Sequence, residues 1–79
     1  MLRYDPNLSP KQLEKFVADR CKAHGEVLLV KIAREGRGRS VAEVFMTSDS
    51  AAYRAASAFG GTPFFASARI VLQPDAPAR

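Results

Sequence analysis

Residues 36–46, GRGRSVAEVFM, carry the side chains best placed to do chemistry in this 79-residue chain. A basic, glycine-rich turn runs straight into a stretch with a two-residue period. Ala42, Val44 and Met46 share one face of that stretch, and Val41, Glu43 and Phe45 share the other. The first set is wholly apolar and suits a core. The second is mixed and stands beside Arg37 and Arg39, so it suits solvent or a ligand. Cations next to an exposed ring offer phosphate contacts and base stacking, the two interactions that hold a single nucleic-acid strand.

Each residue of this constellation has a distinct role to offer. Lys31, Arg34, Arg37 and Arg39 set four cations against Glu35 within residues 31–39, while the whole chain carries a net charge of +4. Such a cluster favours an anionic partner and would position a phosphate backbone without reading its sequence. Phe45 and Tyr4 are the rings available for stacking, worth about 1–3 kcal/mol per base. The alternative for Phe45 is burial under the C-terminal tail. Val41 offers a flat apolar contact. Glu43 would repel phosphate at the centre of the sheet, although it could accept a hydrogen bond from a base edge such as cytosine N4. Its alternative is a salt bridge to Arg3 or Arg69.

Catalytic chemistry finds little support. Cys21 and His24 are three apart on a helical pattern, which is compatible with a thiolate–imidazole pair. Both fall on the apolar stripe, however, where a packed cysteine and a satisfied histidine are the simpler reading. Two ligands are too few for a zinc site. Gly36-Arg37-Gly38 is a turn, since the Gly-x-x-x-x-Gly-Lys spacing of a phosphate cradle is missing. The single asparagine, Asn7, is joined to no arginine by a phosphate-binding motif of the acylphosphatase kind. We therefore expect no enzyme, cofactor, metal or small-molecule substrate.

The elements that would position these residues are legible from pattern. Ser9-Pro10-Lys11-Gln12 has the form of a capping box with proline at the first helical position. Leu13, Phe16, Val17, Cys21 and His24 then recur at helical steps until Gly25. A second helix starts at Ser48 or Asp49, buries Ala52, Ala55, Ala56 and Phe59, and stops at Gly60-Gly61. Its alanine face must approach its neighbours closely. Strands are predicted at Leu2–Tyr4, Val27–Ala33, Ser40–Met46 and Arg69–Gln73, the middle two pairing as a hairpin. For the first strand two registers compete. Either Tyr4 is exposed for stacking and Asp5 is buried, or Leu2 and Tyr4 are buried and Arg3 is exposed. The second buries no bare carboxylate.

This β-α-β-β-α-β order, with right-handed crossovers, points to an α+β fold of the ferredoxin-like split βαβ type. Four antiparallel strands would carry both helices on one face. A single domain over residues 1–73 and a disordered Pro/Ala tail over residues 74–79 are expected. A chain this short buries only roughly 60% of its unfolded-state surface. Its 47% hydrophobic content nonetheless argues against disorder. One cysteine rules out an internal disulfide framework and suggests a reducing, intracellular setting. The longest apolar run, Val27–Val30, is far too short to span a membrane.

From about Leu2 to Gln73 the chain resembles the RNA recognition motif family. His24-Gly25-Glu26-Val27 with Val30 and Ile32 looks like the end of that family's first helix and its second strand. Arg39-Ser40-Val41-Ala42-Glu43-Val44-Phe45-Met46 looks like a weakened form of its eight-residue signature on the third strand. Arg39, Ala42 and Val44 match that signature. Ser40 replaces a glycine, Val41 and Glu43 replace both stacking aromatics, and Met46 replaces a buried one. Phe59-Gly60-Gly61 resembles the exit of the family's second helix. The resemblance implies that single-stranded RNA binds weakly on an open sheet face, through Arg3, Tyr4, Lys31, Arg34, Arg37, Arg39, Val41, Glu43, Phe45 and Arg69. Loss of the aromatics leaves a second implication, a module that binds a protein partner instead.

Overall fold

The computed structural model of the chain describes residues 1–35 and 39–75. Arg37 and the end of the expected tail therefore lie outside the described residues. In order along the chain come β1 (Leu2–Tyr4), α1 (Pro10–Cys21), a single 3-10 turn (Lys22–His24), β2 (Val27–Glu35), β3 (Arg39–Met46), α2 (Asp49–Ala58), β4 (Thr62–Phe64) and β5 (Ser67–Pro74).

Both helices begin where their caps dictate. The Gln12 N–H donates to Ser9 Oγ at 3.2 Å, and the Ser9 N–H donates to Gln12 Oε1 at 2.8 Å, so the capping box of α1 is complete. Ser48 Oγ accepts from the Ala51 N–H at 3.1 Å, and Asp49 places a carboxylate in the first turn of α2. Gly25 follows the 3-10 turn with φ of 152°, and a Cβ there would stand 2.5 Å from Ala51 Cβ. The start of α2 thus packs directly on this glycine backbone.

Strand β3 is the centre of the sheet. On one side it pairs antiparallel with β2, from Leu29↔Phe45 to Glu35↔Arg39. On the other it pairs antiparallel with β5, from Ser40↔Leu72 to Phe45↔Ser67. The far edge of β5 is shared. β4 pairs with its first residues (Thr62↔Arg69 to Phe64↔Ser67), and β1 pairs parallel to its last (Leu2↔Leu72 to Tyr4↔Pro74). The strand order is β1-β5-β3-β2, with β4 also on β5.

This sheet corrects the expected one in three respects, the first being that β5 rather than β1 lies beside β3, so the ferredoxin-like order does not hold. It has five strands among the described residues, and it is mixed because β1 runs parallel to β5. The reason lies in strand length. The flank of β3 offers six consecutive positions, Ser40 to Phe45, and a three-residue β1 fills only half of them. The eight residues of β5 cover the whole flank, with Ala68, Ile70 and Leu72 alternating inward. β1 is left to the edge, where the Asp75 N–H donates to the Tyr4 carbonyl at 2.8 Å. The register of β1 is the one that buries Leu2, leaves Tyr4 half-buried against the core and exposes Arg3. β5 runs from Ser67 to Pro74, two residues earlier and one later than the strand predicted at Arg69–Gln73.

One core joins the sheet to both helices. Ala42, Val44 and Met46 of β3 meet Ile70 and Leu72 of β5, Leu13, Val17 and Cys21 of α1, and Ala51, Ala52, Ala55 and Ala56 of α2. Val30 and Ile32 of β2, Phe16 and Phe59 pack against it in part. Both helices therefore lie on the face of β3 that carries its even-numbered residues.

Val44 has no solvent exposure and stands between Val30 and Ala68. Val44→Asp should unfold the domain, because an unpaired buried charge costs more than the few kcal/mol a small domain holds in reserve. A wild-type melting curve for this variant would contradict the β3 register. Ser9→Ala should cost about 1 kcal/mol in a denaturant titration.

Candidate nucleic-acid interface

The helix-free face of the sheet can be read row by row from the pairings, since directly opposed residues point the same way. Leu29, Phe45, Ser67 and Phe64 lie abreast at one end. Lys31, Glu43, Arg69 and Thr62 form the next row, followed by Ala33, Val41 and Val71. Glu35 with Arg39, and Arg3 with Gln73, close the other end.

Most of the sequence-predicted site residues meet on this face. Arg3, Lys31, Arg39, Glu43 and Arg69 are exposed there, and Phe45 is half-buried. The Lys31 ammonium stands 5.9 Å from the Phe45 ring centroid, within cation–π range. Strand parity places two of the site residues on the other face, Tyr4 by the second of its two anticipated registers. Arg34 pairs with Ser40 and shares its face with Val30 and Ile32, and Tyr4 shares its face with Leu2. Both line a cleft beside Leu8 and Leu13 on the helix side. They stand apart from Phe45 and Glu43.

The ion pairs also differ from those anticipated for Glu43. Arg3 Nη1 lies 3.9 Å from Asp75 Oδ1, and Arg69 Nη2 hydrogen-bonds Glu35 Oε2. Among the described residues neither arginine pairs with Glu43. Arg69 is abreast of Glu43, whereas Glu35 is abreast of Arg39, so their pair crosses β3 diagonally over Val41. This explains why Val41, on the open face, is only 4% exposed. Such a pair is solvent-exposed and worth at most about 1 kcal/mol, so a phosphate could compete for Arg69.

Sequence reasoning missed one end of the face. Thr62-Pro63-Phe64 forms β4, and a two-residue turn of Phe65 and Ala66 returns the chain to β5. Phe64 is 69% exposed and Phe65 is 74% exposed. A proline inside a three-residue strand hides the strand signal, because such strands survive only at edges. Two adjacent phenylalanines outside any periodic stretch were the available clue.

The Cys21–His24 spacing leads elsewhere. Cys21 has no solvent exposure, and burial pushes its thiol from 9.0 up to about 11. The His24 ring meets Phe59 edge-on at 5.9 Å, and the His24 carbonyl accepts from Arg54 Nη2 at 2.9 Å. Packing accounts for both residues. Among the described residues no three His, Cys, Asp or Glu side chains cluster as a metal would require, and no helix is long and apolar enough to cross a membrane. No protein-family model matches the chain, and no curated protein or solved structure matches it.

The raised thiol pKa carries a signed expectation. Between pH 9 and 11 the unfolded chain releases the Cys21 proton while the native state keeps it. Stability should therefore fall across this window, by about 2–3 kcal/mol at its upper end. Denaturant midpoints measured against pH should show this fall, and Cys21→Ala should flatten it.

Proposed function

We propose that the open face of the sheet is a weak, sequence-tolerant platform for single-stranded RNA. The observation that carries this reading is that Arg3, Lys31, Arg39 and Arg69 share one helix-free face with Phe45, Lys31 and Arg69 in the row next to the ring and Arg39 and Arg3 at the far end. The cations supply phosphate contacts along the face up to its far end, and the ring supplies a stacking surface at the other. In sequence, Arg37 precedes Arg39 by two residues. The resemblance of residues 2–73 to the RNA recognition motif adds support at the level of helix and strand sequence, although the strand order departs from it. A single buried cysteine accords with a reducing, intracellular setting.

One observation favours a second reading, a protein-interaction module. The two β3 positions where the resemblance expects stacking aromatics hold Val41, covered by the Arg69–Glu35 pair, and Glu43. A platform with neither ring depends on its periphery.

Parity supplies a built-in control for the test. If Lys31 and Arg39 contact phosphates, replacing both with alanine should lower the salt slope of RNA binding by roughly 1.4, at about 0.7 per contact for a single strand. Arg34→Ala, on the opposite face, should leave the slope unchanged. An equal loss for Arg34→Ala, or none for the double variant, would contradict the assignment of the face. Glu43→Tyr should raise affinity by about 1–3 kcal/mol, because it adds a ring and deletes a repulsive charge. If that variant folds and RNA binding stays undetectable, the protein-interaction reading takes over.

A further inference from the structure

We infer that the outer edge of β2 and the lysine-bearing flank of α1 receive an extended acidic segment of a partner protein, which adds a strand to the sheet. This surface lies outside the open face, so the inference does not depend on the RNA reading above.

The two edges of the sheet are built differently. The edge beyond β5 is divided between β1 and β4, three residues each, and such short strands give an incoming chain little to pair with. β2 forms the other edge with nine residues, none of them proline or glycine. Among the described residues it pairs with β3 alone. In an antiparallel ladder every second residue turns its N–H and C=O away from the partner strand, so β2 presents a row of unpaired donors and acceptors. A bulge between Val27 and Leu29 guards the start of this row, and the charge of Arg34 on the helix side guards its end. Residues 29–33 are left for pairing.

The bulge leaves Leu28 without a partner on β3. Leu28 is 63% exposed and Leu29 is 50% exposed, and neither belongs to the core. An edge that must stay free carries charge or proline, whereas this one offers two leucines. Between this part of β2 and α1 runs an open groove of about 420 Å3. The strand residues from Val27 to Val30 form one wall. Lys11, Glu14, Lys15, Ala18 and Lys22 form the other, a single stripe along the flank of α1 and the turn that follows it.

Charge selects the occupant. The helix wall carries three ammonium groups and one carboxylate. Lys22 Nζ stands 3.5 Å from Asp19 Oδ1, while Lys11 and Lys15 make no ion pair among the described residues. Acidic side chains are the complement of this wall. A second copy of this chain is not. Pairing β2 with β2 would continue the sheet, keep the helices of both copies on one side and set the lysine flank of α1 beside its own image. RNA brings phosphates for the lysines, but no amide groups for the edge and no aliphatic side chain for Leu28. An extended acidic polypeptide satisfies all three. Its backbone pairs with residues 29–33, its carboxylates meet Lys11 and Lys15, and an apolar residue covers Leu28 and Ala18.

Fluorescence anisotropy with the whole chain and a labelled heptapeptide of alternating glutamate and valine, at low salt, tests this. The peptide should bind, and its counterpart with glutamine for glutamate should bind more weakly. Replacing Lys11 and Lys15 together with glutamine should weaken binding of the acidic peptide roughly 2- to 30-fold, the loss of two exposed charge pairs. Both lysines are exposed, so the fold should persist. In the wild-type protein, added peptide should slow amide hydrogen exchange at alternate residues within 29–33, a readout that needs no variant. Equal binding of the two peptides, equal binding by the double variant, no protection on β2 or no peptide binding would each overturn the inference and leave the RNA reading standing. Self-association of the protein alone that Leu28→Asp abolishes would overturn it in favour of a second copy on this edge. RNA-induced shifts at Lys11, Lys15 and Lys22 would overturn it in favour of RNA on the lysine flank.

Discussion

Every assignment of a side chain to the core or to the open face depends on the register of β3. Because the strand period is two, a slip of one residue would bury Glu43 and expose Val44. The register is held from both sides, by seven consecutive pairings to β2 from Leu29↔Phe45 to Glu35↔Arg39 and by six to β5. The buried alternative would place a carboxylate against two helices, at a cost larger than the stability of a small domain. The same alternation that builds the core therefore delivers Glu43 and Phe45 to the helix-free side.

The helices satisfy a second constraint, close approach. The inner face of α2 is Ala51, Ala52, Ala55 and Ala56, all buried, so its backbone must come near the sheet to exclude water. Gly25 permits this at one end, where its missing Cβ leaves room for Ala51. Gly61 permits it at the other, since a Cβ there would stand 2.3 Å from the Arg69 carbonyl oxygen. A core built from small side chains has little volume to lose. Met46, Ile70 and Leu72 fill much of what remains.

Much of this was legible in the sequence because it rests on local chemistry. The Ser9 and Ser48 caps, the Leu13–Val17–Cys21 stripe and the alternation of β3 each follow from residues close together in the chain. Partner choice among strands does not. That β5 rather than β1 lies beside β3 depends on the relative lengths of elements some seventy residues apart. The placement of Arg34 was within reach, since it continues the inward alternation of Val30 and Ile32, but its charge drew it to the basic cluster. Tyr4 follows Leu2 inward by the same rule. Phe64 and Phe65 could not be placed without β4, whose Pro63 hides it, or without the left-handed turn that exposes Phe65.

The central claim is that function belongs to the helix-free face and that its two ends, one cationic and one aromatic, act on the same ligand. Amide and side-chain chemical shifts followed by NMR during titration with short single-stranded RNA test this most directly. The account predicts that shifts concentrate on outward positions of β3, β5 and β2, at Arg39, Glu43, Phe45, Ser67, Arg69 and Lys31, with α1 and α2 unaffected. Shifts confined to the helices, or to the cleft that holds Tyr4 and Arg34, would contradict it.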